Sequence, residues 1–145
     1  MMTNNQFEAK EWLNRMFGAA QDVEATRRTL ETIVAEMGGV SKYEIDFKGN
    51  NPKATEDKLA RYSTVKAELE KKEAALYFED ARTEKIINKL KDKRDRAILR
   101  DRYINRLSWS KIAKLNNYSE PRVYEIHRDA LEDVWQFIPG KNGNV

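Results

Sequence analysis

The sequence feature that most constrains this chain is a run of spacings near its start. Ala9, Leu13, Met16, Ala20, Val23, Arg27, Leu30, Val34 and Met37 follow one another at alternating steps of four and three residues. That repeat places all of them along one side of an α-helix, because an average step of about 3.5 residues nearly matches the ~3.6 of a helical turn. Arg27 is the single charged member. Trp12, Phe17 and Ile33 widen the stripe, as expected of a helix that packs on more than one neighbour. Gly38-Gly39 then supplies a stop, since glycine enters left-handed backbone without a Cβ clash.

A second register follows. Leu59, Tyr62, Leu69, Leu76, Ile87 and Leu90 share one heptad frame, while Lys66, Glu73, Asp80 and Thr83 occupy its remaining seam positions. No glycine or proline lies between Thr55 and Leu90, and Thr55-Glu56-Asp57 puts acids where a helix dipole is positive. Two long helices closed by residues 38–53 are expected, as an antiparallel hairpin within one chain or a coiled coil between two. Tyr43, Ile45 and Phe47 alternate with polar residues inside that connection, and one such piece without a partner reads as a structured loop.

Composition agrees with helices. Charged residues make up 35% of the chain and hydrophobic ones 40%, with six glycines and three prolines to break it. The expected fold is all-α: a long N-terminal helical hairpin or dimerisation region over 1–91, a C-terminal helix-turn-helix domain over 92–138 and a flexible tail over 139–145. There is no cysteine, hence no disulfide or thiolate metal site. No apolar run is long enough for a membrane span, and the first residues lack a signal-peptide core. A cytoplasmic protein without a membrane partner is expected.

The C-terminal stretch "LSWSKIAKLNNYSEPRVYEIHRDAL", Leu107 to Leu131, carries two short apolar patterns around a polar break at Asn116-Asn117. Asp92, Ser108 and Ser119 are N-cap candidates for three helices: one to Ile104, one from Trp109 to Leu115, one from Glu120 to about Phe137. Ala97, Ile98, Tyr103 and Ile104 form the apolar side of the first. Ala113 is small enough for a close crossing, Ile112 fills the core, and Asn117 tolerates the left-handed backbone that a tight turn needs. Tyr118 plugs the gap below the turn. Val123, Ile126, Ala130, Leu131 and Val134 form the inner face of the last helix.

Its outer face carries Glu120, Arg122, Tyr124, Glu125 and Arg128. These side chains can reach base edges if the helix enters a major groove. Ser119 leaves free N–H groups for a phosphate, and Pro121 can meet a thymine methyl. Charge points the same way: residues 91–128 hold eleven Lys/Arg against five Asp/Glu, whereas residues 1–50 hold six against eight. Arg94, Arg96, Arg102, Arg106, Lys111 and Lys114 are the expected phosphate anchors.

The segment "RAILRDRYINRLSWSKIAKLNNYSEPRVYEIHRDALEDV" resembles region 4 of sigma-70 factors in its Arg-Tyr helix, its Ile-Ala pair and its Val-x-x-Ile-x-x-x-Ala-Leu helix. It is still more similar to phage-encoded transcriptional regulators of the ArpU and RinA type. The resemblance covers about residues 92–135. It implies a sequence-specific DNA-binding regulator of phage or prophage genes, with base contacts on Glu120, Pro121, Arg122, Tyr124 and Glu125 and phosphate contacts near Arg102, Lys111 and Ser119. It also implies double-stranded DNA and host RNA polymerase as partners, and N-terminal helices that form a homodimer or touch the polymerase. Asn116 departs from the family pattern, which often has a buried leucine there. Glu120 and Pro121 stand where arginine is common.

Two other readings stay open. One is a phage small terminase subunit, which also joins such a motif to helical segments. The other is a sigma-like module that binds RNA polymerase without reading DNA. An enzyme is not expected: nothing near the lone His127 offers a nucleophile-base pair or a second metal-binding histidine or thiolate, and no glycine-rich phosphate loop is present. Trp109 is expected in the core, and Trp135 and Phe137 either fold back on the domain or dock a partner.

Overall fold

The computed structural model describes residues 1–38 and 52–140. The alternating Tyr43, Ile45 and Phe47 and the tail beyond Gly140 lie outside the described residues. Six α-helices follow in order: α1 (Asn4–Asn14), α2 (Phe17–Glu36), α3 (Pro52–Ile87), α4 (Lys93–Tyr103), α5 (Trp109–Asn116) and α6 (Glu120–Trp135). The fold is all-α, with no strand among the described residues. The chain divides into two compact units, Phe17–Tyr77 on the one hand and Met1–Met16 with Phe78–Val145 on the other.

The Phe17–Tyr77 unit is a hairpin of α2 against most of α3. Arg61 meets Glu36 at 3.1 Å, Arg27 meets Glu73 at 2.9 Å and Lys72 meets Asp22 at 3.0 Å. The end of α2 meets the first half of α3, and Asp22 and Arg27, earlier in α2, meet Lys72 and Glu73, later in α3, so the two helices run antiparallel. Ala20, Val23, Thr26 and Ile33 are buried on α2, and Leu69 and Leu76 on α3. The polar members of the heptad frames pair with each other here. Arg27 bridges Glu24 and Glu73, and Lys72 donates to the Thr26 hydroxyl at 3.0 Å.

The first heptad stripe does not make one helix. It breaks at Arg15-Met16, because its members serve two cores. Ala9 and Leu13 bury with Ile87, Leu131 and Val134, whereas Ala20 and Val23 bury in the hairpin. Arg15 holds the break: its N–H donates to the Trp12 carbonyl, and its guanidinium lies 3.7 Å from the Trp12 ring centre and reaches both the carbonyl and the carboxylate of Glu79. α1 and the end of α3 thus share a core with α4 and α6.

That second unit holds two apolar clusters. One joins α1, the end of α3, α4 and α6 through Ala9, Leu13, Ile87, Leu90, Leu99, Tyr103, Leu131 and Val134. The other joins α4, α5 and α6 through Ile98, Ile112, Ala113, Val123 and Ile126, with Leu107, Trp109 and Tyr118 against it. On α4 the buried residues are Ile98, Leu99 and Tyr103; Ala97, expected there, is exposed. A capping box at Thr3 and Gln6 starts α1, and Thr3 and Asn5 both donate to Glu132 on α6.

Candidate nucleic-acid interface

Ser108 and Ser119 cap α5 and α6 as their sequence positions suggest, each hydroxyl accepting from the backbone N–H three residues on, at 3.2 and 3.3 Å. Between the helices Asn117 takes φ 59°, ψ 41°, the left-handed conformation expected of it. Tyr118 donates its backbone N–H to the Ala113 carbonyl at 3.0 Å, which closes the turn. Asn116 has a role that a leucine could not fill. Its side-chain amide donates to the Ile112 carbonyl at 2.8 Å and to the Asp101 carboxylate at 3.2 Å, so the turn is tied to α4.

α6 is two-faced. Val123, Ile126, His127, Ala130, Leu131 and Val134 are buried. Glu120, Pro121, Tyr124 and Glu125 are exposed, and Arg122 and Arg128 are half-buried at its edge. Arg122 pairs with Glu125 at 3.0 Å, one turn along the same surface. Pro121 sits in the first turn, where no backbone hydrogen bond is lost. The outward set read from the sequence therefore lies together on the first turns of α6.

Beyond Arg128 the character of the helix changes. Asp129 and Asp133 are exposed, and Glu132 is engaged by α1. Asp95 on α4 feels the same surface: burial pushes its carboxyl up, helped by Asp92, Asp133 and Asp129. The carboxylates on the last turns of α6 repel a polyanion.

The cations divide into two groups. Lys111 and Lys114 are exposed on α5, and Arg94 is exposed at the start of α4, paired with its helix cap Asp92 at 3.1 Å. Three other expected phosphate anchors are used inside the fold. Arg96 donates to the Leu90 carbonyl at 2.6 Å. Arg102 donates to the Leu107 carbonyl at 3.0 Å and stacks over Trp109, 4.4 Å from the ring centre. Arg106, itself at φ 56°, grips Asp80 with two nitrogens at 2.8 and 3.2 Å, both side chains mostly shielded from water. Arg96 and Arg102 bond carbonyls in the loops beside α4 and Arg106 reaches back to α3, and residue type alone announces none of these roles.

Trp109 is half-buried. Its ring meets Tyr124 at 5.1 Å and the edge of His127 at 4.7 Å. His127 is buried, and its Nε2 lies 2.6 Å from the Tyr103 hydroxyl. Burial, with Lys10 and Arg102 adding to it, lowers the imidazole from its ordinary 6.5 to about 4, so it is neutral at pH 7 and shares a hydrogen bond with the Tyr103 hydroxyl. Burial also pushes the Tyr103 phenol up. Trp135 folds back: its indole N–H donates to Glu8 at 2.7 Å, while Phe137 lies under Lys89. No three His, Asp or Glu side chains converge as a metal site among the described residues, and no described helix is long and apolar enough to cross a membrane.

Residues 39–134, more than half of the chain, match a family described as a protein of unknown function, DUF1492. The chain belongs to the DUF1492 family. The DUF1492 match takes in α3, α4 and α5 and ends at Val134, the last buried residue of α6, so the whole turn and the outward face of α6 lie inside it. No curated protein and no solved structure matches the chain.

Proposed function

We propose that this DUF1492 protein is a sequence-specific DNA-binding transcriptional regulator of phage or prophage genes, and that α5 and α6 act as a helix-turn-helix. One observation carries the reading. The first turns of α6 present Glu120, Pro121, Arg122, Tyr124, Glu125 and Arg128 on one side, while Val123 and Ile126 lock the other side onto α5 across a left-handed turn. That arrangement offers base-reading side chains on a helix of fixed orientation. Lys111, Lys114 and Arg94 flank it as phosphate contacts. Its likeness to sigma region 4 and to regulators of the ArpU and RinA type supports the same reading. The acidic residues after Arg128 limit groove contact to the N-terminal part of α6.

Selection of bound fragments from host and phage genomes by the purified chain tests this. Enrichment of a discrete site upstream of late or lysis genes is the expected result, and a site at the packaging origin instead favours a small terminase subunit. A second reading, a module that docks on RNA polymerase without DNA, draws on Arg96, Arg102 and Arg106 being spent inside the fold. It requires that Arg122→Ala with Arg128→Ala leave transcription activation unchanged.

A further inference from the structure

Arg102, Trp109 and Tyr124 form a stack that joins three helices and ends in solvent. Arg102 is pinned at its back by the Leu107 carbonyl, its guanidinium lies 4.4 Å from the centre of Trp109, and Trp109 packs on Tyr124 with centres 5.1 Å apart. The edge of His127 meets the Trp109 ring at 4.7 Å, and His127 is itself tied to Tyr103. Trp109 therefore has restraints from α4 and α6 and little freedom to turn. Tyr124 is the outermost member, 46% exposed, on the second turn of α6. Such a ring gives up little rotamer freedom when something binds it, because packing has already removed that freedom.

We infer that Tyr124 is a specificity-determining residue that recognises a thymine methyl group in the major groove, and that Trp109 is the positioning residue that aims it. The inference rests on the DNA-reading proposal above. The phenol ring offers an apolar edge, and the C5 methyl of thymine is the one apolar group that bases show in the major groove. The neighbouring Arg122 and Glu125 satisfy one another at 3.0 Å, so they stand beside the ring as a neutral pair and do not pull a phosphate across it.

The probe is the tightest duplex recovered by the full chain from a random-sequence library, with each thymine in turn replaced by deoxyuridine, which removes only the methyl. Binding of the parent is expected to weaken about fourfold at the contacted thymine, the worth of one buried methyl. Tyr124→Ala should erase that loss at that base alone. Trp109→Leu should shrink it and Trp109→Phe preserve most of it, both with an unchanged salt slope. The Trp109→Leu, Tyr124→Ala double variant should match Tyr124→Ala. Arg102→Met, which loosens the ring from behind, replaces Trp109→Leu if the latter fails to give the parent's circular dichroism and melting. A parent and a Tyr124→Ala variant with the same deoxyuridine profile overturn the inference while leaving DNA reading intact. Equal weakening at every base by Trp109→Leu also overturns it. A library from which no duplex is enriched overturns both.

Discussion

Asn117, Arg106 and His127 each hold a conformation or charge state that the surrounding chain imposes. At Asn117 the left-handed backbone is required by the turn, so Asn117→Gly should change stability by less than about 0.5 kcal/mol, while a β-branched Asn117→Val should cost about 2 kcal/mol in denaturant unfolding. At Arg106 the charge faces Asp80 and not solvent. Arg106→Ala should lower stability by about 2 kcal/mol, because a shielded carboxylate loses its partner. The same variant should leave the salt slope of DNA binding unaltered. His127 links stability to pH. Its folded value is depressed, so the unfolded chain binds the proton more readily; stability is complete above 6.5 and is lost as pH falls toward about 4. The loss due to this residue alone is about 3 kcal/mol. Thermal unfolding from pH 7 to pH 4 measures it, and His127→Gln should flatten that part of the profile. At this scale the sequence makes Asn117 and the serine caps legible, because their chemistry is local. Asn116 bonded to Asp101, Arg106 to Asp80 and Tyr124 stacked on Trp109 are partners far apart in the chain, and their residue types alone carry no trace of them.

Helices are where the sequence is most readable and also where it misleads most. The heptad spacing of Ala9 to Met37 is real on both sides of Arg15, yet it runs through a break between α1 and α2. Periodicity records which side of a helix is apolar and says nothing of which core that side enters. Conversely, the patchy frame of α3 looks weak only when the polar seam residues are counted as losses. Glu73 answers Arg27, and Asp80 answers Arg106. The part-exposed Arg27–Glu73 pair fixes register more than it stabilises, since solvent screening and side-chain ordering offset much of the attraction. Replacing both members, Arg27→Met with Glu73→Leu, should therefore raise the melting temperature of the chain, and either change alone should not. Loss of stability in the double variant would show that the pair contributes more than the apolar contacts a regular seam would provide.

Across the whole chain, charge and fold divide the surface of the C-terminal unit in a way that net composition hides. The local excess of Lys and Arg over 91–128 is partly spent inside: Arg96, Arg102 and Arg106 hold the loops around α4 and α5 together. What remains outward is Lys111 and Lys114 on α5, Arg94 on α4, and Arg122 and Arg128 beside Glu120 and Glu125 on the first turns of α6, with acids beyond. The DUF1492 match takes α3 through most of α6 into one segment, and the proposed reading head lies within it. The proposal that this head reads duplex DNA meets its most direct test in fluorescence anisotropy of the full chain with its selected duplex, titrated from about 50 to 200 mM salt. Log affinity should fall linearly with log salt at a slope of about −3 or steeper, and Arg122→Ala with Arg128→Ala should abolish preference for the selected duplex over a scrambled one. No measurable binding of the folded parent to any duplex at the lowest salt, or a preference that survives the double substitution, would contradict it.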